Sequence, residues 1–189
     1  MTEATSERYK SFIEVYEQQI GCPGCGNALM ELGFFEAPAS KAFQGAYPGG
    51  LFDHSVLVTE YLQYLTEKLN LRWSSPYSPV RIGMLHDLCK ADQYVMLYDE
   101  DGNVYFKNNR ESPLKGHGDK SVFLASQIMD LTEEEELCIR YHMGAFCDKE
   151  EWNRYTDAIH LYPNVLFAHT ADMMAPPSVY AALILLSPC

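Results

Sequence analysis

Six side chains of this chain have the types and surroundings to hold a metal: His54, the adjacent pair His86 and Asp87, His117, His142 and Asp172. Most lie on or beside an apolar stripe of a helix-like segment. His54 goes with Val58, Leu62 and Leu65, His86 with Ile82 and Cys89, His142 with Cys138, and Asp172 with Val165 and Ala168. A carboxylate is costly to bury unless it is paired or bound to a metal. Two inward Asp and four inward His, drawn from six His in the chain, therefore ask for a common partner. A lone buried His is more often a satisfied core residue; four on successive segments are not explained that way. Imidazole with carboxylate suits Fe, Mn, Co, Ni or Zn better than Ca or a thiolate zinc site. His160 and His169 read as structural, with His169, one turn before Asp172, available to support a ligand.

Helices must carry these groups. Tyr9, Phe12, Ile13, Tyr16 and Ile20 recur at helical spacing, so the sequence predicts an amphipathic N-terminal helix over about 6–20, ended by Gly21. Cys22-Pro-Gly-Cys25 reads as a turn, and 34–50 as a loop with short helical turns. Further helices are predicted over 51–69 (His54, Val58, Tyr61, Leu62, Leu65 and Leu69 on one face), over 80–91 and over about 118–129. Thr132 with Glu135 fits a capping box that opens a helix carrying Leu137, Cys138, Tyr141 and His142. A helix with Trp152 and Tyr155 follows, and a last one over about 164–174 stops at Pro176-Pro177. Between them, 94–107 alternates and carries a turn at Asp99-Glu-Asp-Gly102, which predicts a β-hairpin. The expected fold is thus mostly all-α, a single domain over 1–189 with one hairpin insertion.

Composition narrows the function. Hydrophobic residues are 47 % of the 189, enough for a full core, which excludes wholesale disorder. Fourteen Lys and Arg against 26 Asp and Glu leave a formal charge of −12. A grip on long nucleic acid needs a basic face, and an anionic membrane would repel such a chain. If the ligand is an anion, something positive and local must compensate, and a bound metal would do so. The first 20 residues lack an apolar leader, and the longest apolar stretch, 179–186, is far short of the roughly 20 residues that span a bilayer. The cysteines at 22, 25, 89, 138, 147 and 189 are scattered, which fits a reduced, cytoplasmic protein rather than a disulfide scaffold.

Gly49-Gly-Leu-Phe-Asp-His54-Ser, Leu85-His86-Asp87-Leu-Cys-Lys90, Gly116-His117-Gly-Asp-Lys120-Ser, Arg140-Tyr-His142 and His169-Thr-Ala-Asp172 stand in the order H…HD…H…H…D. Over about 37–175 the chain thereby resembles the HD superfamily of metal-dependent phosphohydrolases. The resemblance implies a helical bundle and a site for two divalent transition-metal ions. His54, His86, Asp87 and Asp172 would hold one ion, and His117 and His142 the other, with Asp87 bridging. The implied reaction is hydrolysis of a phosphate ester of a nucleotide or other small phosphorylated substrate, by a metal-bridging hydroxide near Asp87. Lys90, one turn after His86-Asp87, and Lys120, three residues after His117, could each reach a phosphate oxygen, with Lys90 neutralising charge as it builds. The Ala37-Pro-Ala-Ser40 … Gly49-Gly-Leu stretch also resembles the HD domain of certain 3′→5′ exoribonucleases. Phe43-Gln44 stands where those have a His pair, however, and their added oligonucleotide-binding domain is missing, which speaks against polymeric RNA.

Two other functions share the ligand order. HD-type di-iron oxygenases such as myo-inositol oxygenase cleave C–C or C–P bonds, and a non-catalytic nucleotide-binding protein would keep the site without turnover. The hairpin leaves just after His86-Asp87 and returns just before His117. It would form a lid on which Tyr94, Tyr98, Tyr105 or Phe106 stack a base, unless those rings only fasten it to the helices.

Overall fold

The computed structural model describes residues 1–114, 116–146 and 149–175. Cys147, Cys189, Pro176-Pro177 and the apolar stretch 179–186 lie outside the described residues. The architecture is mostly α-helical with one antiparallel hairpin, as the hydrophobic periodicity predicts. No helix among the described residues is long and apolar enough to cross a membrane.

The N-terminal helix runs over 3–20 as α1 (Glu3–Ser11), a π-helical turn (Phe12–Tyr16) and α2 (Glu17–Ile20). The Thr2 side chain caps it by accepting the Thr5 amide, and Gly21 ends it in the left-handed conformation at φ 68°. Phe12 is fully buried and meets Phe35, which in turn stacks against Phe34 and Phe52 with ring centroids 5.2 to 5.6 Å apart. Arg8 forks onto both carboxylate oxygens of Asp53 at 2.8 and 2.9 Å, tying this helix to the first turn of α4 (Gly50–Leu69).

One expectation is corrected between these elements. The Cys22–Cys25 segment is not only a turn, because a short helix, α3 (Cys25–Glu31), starts at Cys25. Its opening amides are met from a distance: Glu17 Oε1 accepts from Gly24 N at 3.1 Å and from Gly26 N at 3.2 Å. A cap supplied from the preceding helix leaves no capping residue at the helix start for a sequence reading to find.

α4 packs on α5 (Ser78–Leu85) and on α9 (Asn164–Met174); α9 also packs on α7 (Glu133–Tyr141), and α7 on α6 (Gly118–Ser126). α8 (Trp152–Leu161) lies against α9. Two glycines allow the closest approaches. A Cβ at Gly83 would run into Thr59 of α4, and one at Gly118 into the carbonyl of Arg140 in α7.

The expected single helix over 80–91 is broken. α5 stops at Leu85, Asp87 leaves helical geometry (φ −106°, ψ 17°), and a short 3₁₀ turn covers Leu88–Ala91. In a continuing α-helix the Asp87 amide would take the Gly83 carbonyl. Here His86 Nδ1 donates to that carbonyl at 2.9 Å, so the side chain replaces the next rung of the ladder. After it come β1 (Tyr94–Tyr98) and β2 (Val104–Asn108), paired Tyr94 to Asn108 and Tyr98 to Val104.

Candidate metal centre

Five helices deliver the six candidate ligands to one place. His54 stands in the second turn of α4 and Asp172 in the last turn of α9. His86 is the C-cap of α5, with Asp87 next to it, while His142 is the C-cap of α7 and His117 the N-cap of α6. Most of the candidate ligands therefore sit at helix ends, where backbone direction changes and side chains can converge.

Asp87 is the centre, only 2 % exposed. Its two oxygens face different partners. Oδ2 lies 3.6 Å from His54 Nε2, 3.5 Å from His86 Nε2 and 2.5 Å from Lys90 Nζ. Oδ1 lies 2.9 Å from His117 Nε2 and 3.5 Å from His142 Nε2. Asp172 Oδ1 joins the first group, 3.1 Å from His54 Nε2 and 3.8 Å from His86 Nε2. The His54 and His86 Nε2 atoms are themselves 3.2 Å apart, and the His86 and His142 ring centroids 4.9 Å.

The outer nitrogens explain which atoms are free. His86 Nδ1 donates to Gly83 O, and His142 Nδ1 donates to Ile139 O at 2.7 Å. Each ring thus satisfies a carbonyl at the end of its own helix, keeps its proton on Nδ1 and turns the lone pair of Nε2 inward, the arrangement of a metal-binding imidazole. His169 Nδ1 donates to His142 O at 2.7 Å, so it supports the turn of His142 rather than Asp172. Cys89 Sγ lies 3.2 Å from His117 Nδ1.

Buried polar atoms in a folded protein nearly always have partners. Asp87 Oδ1, His117 Nε2 and His142 Nε2 are buried without a hydrogen bond. Donor atoms from His54, His86 and Asp87, from His86, His142 and Asp172, and from Asp87, Cys89 and His117 each lie within 4.8 Å of one another. Orphaned nitrogens and a shared carboxylate oxygen fit a divalent transition metal, which prefers such ligands about 2.0–2.2 Å away. The residues present can hold a metal ion.

The electrostatics agree. Burial pushes the Asp87 carboxyl up, but the Lys90 ammonium beside it and the imidazoles around it outweigh that, holding the group well below the usual carboxylate range. Asp172, raised by burial and lowered by His54 and His86, ends at about 2. Both stay ionised at neutral pH. Burial lowers Lys90, yet the Asp87 charge and hydrogen bond raise it overall.

The two lysines differ. Lys90 reaches into the centre through Asp87, whereas Lys120, 5 % exposed, is paired with Asp92 and bonded to Ser112 Oγ at 2.8 Å. Asp92 was not singled out by sequence; the charge on the residue two after Lys90 is the signal that could have found it. Ser112 also donates to Asp92 Oδ2 at 3.0 Å, so Lys120 sits where the segment after the hairpin returns to the helices. Of the hairpin rings, Phe106 is buried and Tyr98 is 66 % exposed.

Comparison with known proteins returns no match: no family model, curated protein or solved structure is significantly similar to the chain.

Proposed function

We propose that the chain is an HD-type metal-dependent phosphohydrolase, a single domain with its core over about 37–175, that cleaves a phosphate ester of a nucleotide or other small phosphorylated substrate. One observation carries this reading: the two oxygens of a buried carboxylate, Asp87, face two separate sets of inward-turned imidazoles. His54, His86, Asp87 and Asp172 would hold one divalent ion, and His117, His142 and the other oxygen of Asp87 a second. Ions bound there would supply Lewis acidity toward phosphoryl oxygens and a water acidified toward a pKa of about 7.

The protein's own groups do the rest. The carbonyls of Gly83 and Ile139 hold the His86 and His142 rings in one tautomer, so their donor atoms need no reorganisation when substrate arrives. Lys90 keeps its proton and stands next to Asp87 Oδ2, from which its ammonium can turn to a phosphoryl oxygen as negative charge grows there. Local cationic groups let an anion approach a chain whose net charge is −12.

The test is elemental analysis of the purified protein, then phosphate release from p-nitrophenyl phosphate and a nucleotide panel with Mn²⁺. Two ions per chain and metal-dependent release are expected. Oxygen uptake with Fe²⁺ and ascorbate, without phosphate release, would replace the reading with the oxygenase; saturable nucleotide binding without turnover would replace it with a sensor.

A further inference from the structure

A groove of about 750 Å³ opens beside His117, lined in part by Gln93, Asn108, Asn109, Arg110 and Lys120. Its size is that of a pocket for a small organic molecule, several times what a lone phosphate needs. Among the described residues, two cations and no carboxylate line it, although the chain has 26 acidic residues against 14 basic ones. Three other grooves differ: those beside Tyr77, Phe146 and Trp73 are each lined by at least one Glu.

The two cations are not equivalent. Lys120 is buried and neutralised by Asp92. Arg110 is exposed and makes no ion pair or hydrogen bond among the described residues. The neighbouring Glu111 bonds through its backbone amide to Asn109 Oδ1 at 3.0 Å, and its side chain does not line the groove. A guanidinium offers a fork of N–H donors that matches a phosphate. Asn108 lines the same groove, and Gln93 and Asn109, which each donate once already, to Tyr94 Oη and Asp92 O, keep a second N–H.

We infer that Arg110 and the carboxamides of this groove bind a second phosphate on the part of the substrate that leaves, so that the preferred substrates are small molecules phosphorylated at two positions. The inference rests on the phosphohydrolase reading and names its substrate class. One phosphate lies at the Asp87 centre, where an oxygen from water joins phosphorus and the P–O ester bond breaks. The ester oxygen leaves as an alcohol carrying a proton from that water. The released molecule keeps its other phosphate in the groove beside Arg110.

Two matched pairs test this with the Mn²⁺-loaded protein: adenosine 5′-monophosphate against adenosine 3′,5′-bisphosphate, and glucose 6-phosphate against glucose 1,6-bisphosphate. The wild type is expected to favour a bisphosphate at least tenfold in kcat/KM, mainly through KM. Arg110→Ala should remove that preference and leave the monophosphate rates within about twofold, while Arg110→Lys restores part of it. Equal use of both members of each pair by the wild type, or an equal loss on both in Arg110→Ala, overturns the inference. If no substrate is hydrolysed, the hydrolase reading fails, and titration calorimetry with the same compounds decides the groove alone. Tighter bisphosphate binding that Arg110→Ala abolishes upholds it, and equal binding overturns it.

Discussion

The molecule buries carboxylates in two regions and treats them in opposite ways. At the start of α7, Glu134 and Glu135 are 2 % and 0 % exposed, and every oxygen is occupied. Glu135 accepts from Ser78 Oγ at 2.8 Å, from the Thr132 amide at 2.9 Å and from Arg81 at 3.3 Å. Glu134 accepts from Asn164 Nδ2 at 2.7 Å and from the Ser74 amide at 2.6 Å. At the other end of α5, Asp87 is as deeply buried, yet its Oδ1 and two of the imidazole nitrogens around it have no hydrogen bond. A buried charge with saturated oxygens is a strut: it joins α5, α7 and α9 and has nothing left to offer a ligand. A buried charge left partly unsatisfied costs stability in the free protein and is compensated when an ion arrives. The difference separates a structural carboxylate from a candidate metal ligand better than burial or charge does.

The largest effect should come from Asp87→Ala. Both ions are expected to be lost and phosphate release to fall by about a thousandfold or more, with elemental analysis and a phosphate assay as the readouts. Full metal content in this variant would end the two-ion reading. Glu135→Ala should do the reverse, keeping its metal while losing about 3 kcal/mol of stability in urea denaturation, because Arg81 and the helix cap lose their acceptor. If it loses metal instead, the two regions are not separable. His117→Ala touches only the Oδ1 side and should lose mainly one ion of two.

A pH effect of about 2 kcal/mol follows from Asp172 in metal-free protein. Its carboxyl lies at about 2 in the folded state, below the ordinary value of about 3.9 of an unfolded chain. The stabilisation is therefore present above about pH 4 and is lost as pH falls toward 2. Asp172→Asn should flatten this part of the stability curve. The smallest effect compares thiols beside the two regions. Burial pushes Cys89, near Asp87, up to about 12, and burial with Glu134 and Glu135 pushes Cys138 well above its usual value. Neither should react with iodoacetamide at pH 8 in the native protein, by peptide mass mapping, and Glu135→Ala should speed labelling at Cys138 but not at Cys89.

Much of the fold was legible because burial leaves a period in the sequence. The apolar spacing of α4, the Thr132–Glu135 capping box and the alternation of the hairpin were each readable locally, and each is observed. α3 was not, because Glu17 in the preceding helix caps it. Nor was the break after Leu85: its cause, a ring nitrogen of His86 taking the Gly83 carbonyl, is a competition between two donors for one acceptor that residue types do not rank. The six candidate ligands were found by type and setting, and the structure brings all six together. Lys120 was noticed for its spacing from His117, but only coordinates reveal that Asp92 already holds it.

The sequence by itself determined which residue types are inward, because hydrophobic periodicity and the cost of burying charge are local properties. It also determined that the chain is acidic and helical. Only the tertiary structure decided that one carboxylate is shared between two sets of imidazoles while another pair is sealed into a strut. That outcome depends on which donors arrive from distant helices, and on close approaches at Gly83 and Gly118 that no single segment encodes.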